Sequence, residues 1–172
     1  LIYLDNWIRS DLFVADAPRR IPGLVGHQPD RLAPESASEI QRCLGEDRLA
    51  LCTGDQRQVS DTMKRCDVFL FMNKPSPEIS IFQGEVFGLS LFEAMACGCV
   101  GIAKKHEGNK FLQDEVVFIS TLEEGVEEAR KLFRDPVRKE EIRRKGNELI
   151  ETRFRFDDER RAALLELLAP VS

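Results

Sequence analysis

The chain has 172 residues, 42% of them hydrophobic and 32% charged, with a formal net charge of −5. That balance belongs to a folded globular chain and excludes a disordered tail, a collagen-like rod or a bundle of membrane helices. The length suits one domain that buries roughly two thirds of its unfolded surface without a metal or disulfide staple, and an acidic surface is a poor general partner for nucleic acid or acidic lipid.

The N-terminal half alternates apolar runs with amphipathic segments. Strands are expected at Leu1–Leu4, Ile21–Gly26, Leu49–Cys52, Val68–Met72, Val100–Ala103 and Val116–Ile119. The run Val-Phe-Leu-Phe-Met at 68–72 is the strongest of these. An unbroken apolar run reads as a strand covered on both faces, as in a parallel sheet. Helices are expected between the runs: one opened by Ser36-x-x-Glu39 and ending near Leu44, one over Ser60–Cys66, and one over Leu89–Cys97 stopped by Gly98. Residues 5–20 do not fit the alternation. Strand–helix–strand order predicts an α/β, Rossmann-like parallel sheet with helices on both faces.

The last third is helical. Thr121-x-x-Glu124 is a second capping box, followed by Leu122, Val126, Ala129 and Leu132 at helical spacing. Asp135-Pro136 caps the next helix, marked by Val137, Ile142, Leu149 and Ile150, with Gly146 weakening it. A last helix opens at Asp157 or Asp158 and carries Ala162, Leu164, Leu165, Leu167 and Leu168. The charges on these helices are mixed in sign and read as solvated faces.

The five cysteines, at 43, 52, 66, 97 and 99, are unevenly spaced, and only His27 and His106 could join them on a metal. They read as buried small hydrophobes in a reducing compartment, with no metal site. No apolar run reaches the roughly 20 residues of a membrane span. The sequence begins at Leu1 rather than Met, so a piece of a longer cytoplasmic protein is expected, free or at the inner face of a membrane. There is no G-x-G-x-x-G and no Walker lysine motif, which disfavours hydride transfer and P-loop phosphoryl transfer.

The chemically informative stretch is Gln83–Val100, QGEVFGLSLFEAMACGCV. Gly84 and Gly88 permit a tight turn, and a helix starting near Leu89 would aim its unpaired N–H groups and positive dipole end back at residues 85–88. Such an end suits a phosphate. Glu85 would lie just before the helix and Glu93 about one turn inside it. Two carboxylates flanking a diphosphate site make sense if they bind sugar hydroxyls on either side of it. On chemistry alone the alternative stands beside this, with Glu85 a surface loop residue and Glu93 a local capping or pairing residue.

The segment resembles the retaining glycosyltransferases of the GT-B fold, the group that includes glycogen and sucrose synthases. Their donor-binding half carries two glutamates separated by seven residues, in a pattern like E-G-F-G-L-x-x-x-E-A-M-A-x-G. This chain reads Glu85-Val86-Phe87-Gly88-Leu89-Ser90-Leu91-Phe92-Glu93-Ala94-Met95-Ala96-Cys97-Gly98. The preceding CDVFLFM, the turn His106-Glu107-Gly108-Asn109 and the ending ETRFRFDDERRAALLELL are similar to the family's corresponding parts.

The resemblance implies that residues 1–172 form one nucleotide-sugar-binding domain, the C-terminal half of a longer enzyme. That enzyme would transfer a sugar from a nucleoside diphosphate to an acceptor hydroxyl with retention, without a metal or other cofactor. Glu85 is then the catalytic candidate, touching the transferred sugar, and Glu93 holds the ribose. Backbone groups at Phe87, Gly88 and Leu89, with Gly108 and Asn109 from the following turn, meet the sugar and diphosphate. The base sits near Gly54. The acceptor, a glycan or lipid-linked sugar, would bind across a cleft with an N-terminal domain, so this portion alone is expected to be inactive.

Departures from the family pattern are Val86 in place of its glycine, a long loop with Pro75 and Pro77, and no Arg/Lys pair after the first strand. Arg9 follows the first expected strand with no lysine beside it; Lys74, Lys104 and Lys105 are the substitutes near the motif. Two other readings accommodate the same features: a non-catalytic nucleotide-binding module acting with a partner chain, and a sugar-nucleotide epimerase, which the paired glutamates disfavour.

Overall fold

The computed structural model describes residues 8–9, 11–15, 20–29, 35–72, 89–105 and 109–156. In chain order the strands are β1 (Ile8–Arg9), β2 (Val25–His27), β3 (Leu49–Leu51), β4 (Val68–Phe71), β5 (Val100–Lys104), β6 (Val116–Ile119) and β7 (Arg155–Phe156). The α-helices are α1 (Glu35–Leu44), α2 (Gln56–Arg65), α3 (Leu89–Ala96), α4 (Leu122–Arg134) and α5 (Pro136–Leu149). Five strands form one parallel sheet in the order β3-β2-β4-β5-β6. This is the expected Rossmann-like α/β fold.

The sheet is buried on both faces, and the strand sequences show why. Along β4 the side chains alternate between two apolar clusters: Phe69 and Phe71 enter one with α2 and α3, Val68 and Leu70 the other with α1 and α4. The continuous apolar run therefore serves both layers at once. Helix α3 lies close on β5. A β-carbon at Gly101 would come within 2.8 Å of Leu91 Cδ1. At the end of α3, Gly98 has a φ of +82°, a left-handed turn, so the chain can reverse into β5 there without the penalty a β-carbon would carry.

Chain order gives the sheet its functional geometry. From β2 the chain crosses to β3 on one side, then returns past β2 to β4 on the other. The order reverses between β2 and β4, and in open α/β sheets the crevice outside the carboxyl ends at that point is the ordinary ligand site.

At the opposite end, the strand amino ends converge on Asp67. Its carboxylate is buried and accepts from Lys139 Nζ at 2.7 Å, Arg143 Nη2 at 2.6 Å and the Gly23 amide at 3.2 Å. Its backbone N–H donates to Leu24 O and its carbonyl accepts from Val100 N–H. Arg143 also donates from Nε to Gly98 O at 2.8 Å and pairs with Glu140. One residue thus joins the entries of β2, β4 and β5 to helix α5.

Several sequence expectations shift. The segment expected as strand Ile21–Gly26 is extended only over Val25–His27. It begins in a turn closed by Leu24 N–H to Ile21 O at 3.1 Å, with Gly23 at a φ of +77°. Helix α1 has already begun at Glu35, so Ser36 is not its cap. Helix α2 starts at Gln56 rather than Ser60, capped by Asp55, whose carboxylate accepts the Gln58 N–H while the Gln58 side chain accepts the Asp55 N–H. At α4 Thr121 caps as expected, but the Glu124 carboxylate accepts from Ser120 N–H at 2.7 Å, one residue before the cap.

Asp135 caps α5 by accepting the Arg138 N–H. Val137 is 78% exposed and anchors nothing. Gly146 is a buried contact against Met95, not a weak point. Beyond α5 a π-helical turn at Ile150–Phe154 leads into β7, which pairs in parallel with β1 as a separate two-stranded ribbon. That pairing accounts for part of the segment the alternation left unplaced. The strand expected at Leu1–Leu4 and the helix from Asp157 or Asp158 lie outside the described residues.

Asp67→Ala is expected to destabilise the chain by about 3–5 kcal/mol, because it leaves two partly buried cations without their carboxylate. Urea denaturation of the variant beside the wild type measures this, and a loss below about 1 kcal/mol would show the cluster to be incidental.

Candidate functional site

The carboxyl ends of the sheet strands and the amino ends of the helices that follow them share one edge of the molecule. Two helix N-termini there differ in charge. At α2 the Asp55 carboxylate already occupies the free N–H end. At α3 the first turn is Leu89, Ser90 and Leu91, with no acidic side chain. The first turn of α3 therefore sets no negative charge against an anion, while the end of α2 is satisfied internally by Asp55.

Glu93 lies one turn inside α3 and is half-buried. Its neighbours on the helix, Leu91, Phe92, Ala94 and Met95, are buried in the core, so the backbone that presents Glu93 is held firmly. Leu89 opens the helix, half-buried. Glu85, Phe87, Gly88 and Gly108 lie outside the described residues, as do Lys74 and His106.

Asn109 is fully buried, and its side-chain amide donates to Lys104 O at 3.0 Å. It closes the connection that leaves β5. Gly54 follows the edge strand β3 with a φ of +104°, and a β-carbon there would come within 2.1 Å of the Gln58 side chain that completes the α2 cap. Lys104 and Lys105 are exposed at the end of β5, and Lys105 Nζ lies 5.3 Å from the centre of the Phe118 ring.

Arg9 belongs to β1, in the separate ribbon, so it does not follow a strand of the main sheet. The first sheet strand in chain order is β2, and its last residue is His27. His27 is buried, and its Nδ1 lies 2.9 Å from Leu70 O. A carbonyl only accepts, so Nδ1 carries the proton. On the sequence His27 reads only as a candidate metal ligand; the signal of another role is a polar residue closing the apolar run Leu24-Val25-Gly26.

Cys52, Cys66, Cys97 and Cys99 are buried, with Cys43 half-buried. Cys99 donates to Met63 O at 3.1 Å. Burial pushes the Cys97 thiol up to about 12 and raises Cys99 well above the usual thiol range. Cys66 is raised by its contact with the Cys52 side chain and then by burial. Thiols this reluctant to ionise are neither nucleophiles nor ready metal ligands. Among the described residues no group of three or more His, Cys, Asp or Glu side chains is arranged to hold a metal ion, and no helix is long and apolar enough to cross a membrane.

A family model described as glycosyl transferase-like matches residues 39–166. The chain belongs to that family. The solved structures it resembles include the C-terminal domain of LpcC from Francisella tularensis, a group 1 family glycosyl transferase, with a TM-score of 0.62 and 15% identity over 87% of this chain and 100% of that one. Alr3699/HepE of Anabaena, solved with UDP and glucose, gives 0.64 and 17% over 87% of this chain and 52% of that one. The pneumococcal O-GlcNAc transferase GtfA, solved with UDP and GlcNAc, gives 0.56 and 14% over 92% of this chain and 38% of that one. The glycosyl transferase-like chain thus matches an isolated C-terminal domain in full but spans about half or less of the two longer chains. At these identities the likeness establishes the fold, that of a GT-B C-terminal domain. No curated protein matches the sequence.

The burial of four of the five thiols has a direct readout. In the folded chain near pH 8, Ellman's reagent is expected to label Cys43 quickly, and the other four only on unfolding. Rapid labelling of more than one thiol in the native state would show that the cluster behind α2 and α3 is open.

Proposed function

We propose that this chain is the donor-binding half of a retaining glycosyltransferase that takes a nucleoside-diphosphate sugar. The observation that carries the reading is the N-terminus of α3, whose first turn holds no acid, lying at the carboxyl edge of the sheet within the paired-glutamate segment, in a chain of glycosyl transferase-like family. The UDP present with two structurally similar enzymes supports a nucleoside diphosphate as ligand.

In this reading the diphosphate lies against the first turn of α3, near Phe87, Gly88 and Leu89. Glu93 accepts hydrogen bonds from the ribose, Glu85 from the transferred sugar, and the base lies beside the Gly54 turn. Gly108 and Asn109 approach from the connection after β5. Because the Asn109 amide is bonded to Lys104 O, its part is to shape that connection so that backbone faces the donor. As the bond from the sugar anomeric carbon to the diphosphate breaks, negative charge grows on the leaving oxygen, and the α3 dipole stabilises it in place. The donor complex needs no metal. The acceptor binds across a cleft with a preceding domain, so this portion by itself transfers little or no sugar.

The second reading, a non-catalytic nucleotide-binding module, is favoured by one observation: Arg9, the arginine that follows the first expected strand, belongs to the β1–β7 ribbon rather than the sheet. An adjoining α/β domain that restores transfer decides for the enzyme.

Calorimetry with UDP, GDP and ADP and their glucose conjugates tests the proposal. Glu93→Ala is expected to weaken the free nucleotide by about 1.5–3 kcal/mol, roughly ten- to a hundredfold, through loss of charge-assisted hydrogen bonds. Glu85→Ala is expected to weaken only the sugar conjugate, and EDTA to change neither. Unaltered nucleotide affinity in a folded Glu93→Ala chain would refute the ribose assignment.

A further inference from the structure

The parallel pairing of β2 with β4 has an unusual end. It runs Val25↔Val68 and Gly26↔Phe69 and does not continue to His27 and Leu70. On its other side β2 keeps pairing one residue further, with His27↔Leu51. At His27 the strand therefore stays with β3 and parts from β4. In a parallel ladder the Leu70 carbonyl, which faces β2, would next accept the Gln28 backbone N–H. It accepts the His27 imidazole N–H instead, at 2.9 Å. The ring is 1% exposed, so it fills the space where the strands separate.

The separation falls between β2 and β4, where the strand order reverses, at the carboxyl edge of the sheet. We infer that His27 is a positioning residue whose imidazole, by taking the Leu70 carbonyl, holds the ends of β2 and β4 apart and so sets the width of the donor crevice. The inference rests on the proposed function for its ligand, a nucleoside diphosphate, and on the structure alone for the spacing. A shorter side chain would let Gln28 N–H reach Leu70 O, extend the ladder by one step and narrow the crevice. Asparagine would keep the spacing, because its Nδ2 can stand where the imidazole Nδ1–H stands.

The test uses the whole chain as wild type, His27→Ala and His27→Asn, with two readouts. Amide hydrogen exchange at Gln28, without ligand, is expected to slow in His27→Ala as the ladder extends, and to match the wild type in His27→Asn. Calorimetry with the tightest of UDP, GDP and ADP is expected to show about a tenfold loss in His27→Ala and less than about a threefold loss in His27→Asn. Unchanged or faster exchange at Gln28 in His27→Ala would overturn the spacing, showing that the imidazole only clamps the strands together. Wild-type affinity in a folded His27→Ala chain would overturn the link to the donor. If His27→Ala does not fold, His27→Asn decides: affinity near wild type supports the inference and a tenfold loss overturns it. If the wild type binds none of the three nucleotides, the proposed function fails and the donor role of His27 with it, while exchange still reads the spacing.

Discussion

The fold depends on one buried carboxylate. Asp67 stands immediately before β4, the central strand, with its side chain 4% exposed between Lys139 and Arg143 of α5. Its backbone reaches Leu24 before β2 and Val100 at the start of β5, and Arg143 extends the cluster to Gly98. Burying a charge in this way is tolerable only when its oxygens are filled by donors. Here the donors come from distant parts of the chain, so the cluster forms only when α5 is folded back across the amino ends of the strands. It acts as a check on topology as much as a source of stability. Lys139 and Arg143 lie one turn apart on α5, which lets both reach the same carboxylate.

Concentrating the polar network at the amino ends leaves the carboxyl ends of the strands for chemistry. The two apolar clusters, one on each face, hold the sheet rigid between the two edges. Helix α3 shows the consequence most clearly. Six of its eight residues are buried, and Gly101 lets it lie close on β5. A helix packed this tightly cannot tilt, so the direction of its dipole and the place of Glu93 are settled by the core rather than by a ligand. Such preorganisation is what electrostatic stabilisation of a leaving anion requires.

Much of this was legible in the sequence because the signals were local. The apolar runs at 68–72, 100–103 and 116–119 are strands to within a residue, since their burial on both faces leaves no periodicity to misread. Asp135-Pro136 and Thr121 cap the helices they mark. The start of α2 lies four residues before the expected Ser60, because its capping box, Asp55-x-x-Gln58, uses aspartate rather than Ser or Thr and the apolar residues begin only at Val59. What was not legible rests on pairing between distant residues. The β1–β7 ribbon joins residues 8–9 to 155–156, and two-residue strands have no pattern of their own. His27 carries no motif; its meaning comes from Leu70, 43 residues away. Of the site, Glu93, Leu89, Asn109 and Gly54 are placed in the fold, and the Asn109 side-chain amide is bonded to Lys104 O.

The acidic balance of the chain and an anionic ligand are compatible for a local reason. A net charge of −5 spread over the surface is screened within about 8–10 Å at physiological salt, whereas a helix terminus acts on an anion at hydrogen-bonding distance. In the proposed reading, what matters is which helix ends already hold a charge or cap of their own. Asp55 closes the end of α2 with its own carboxylate, Thr121 accepts an N–H at α4, with Glu123 and Glu124 in its first turn, and Asp135 does the same at α5. Helix α3 begins with Leu89-Ser90-Leu91, none of which carries negative charge. Among the helices whose caps are described, three carry their own acid or hydroxyl; the first turn of α3, which follows the strand next to the reversal in sheet order, holds no acid. In the proposed reading an anion site on an acidic protein then needs no basic patch, because the first turn of α3 sets no negative charge against the ligand.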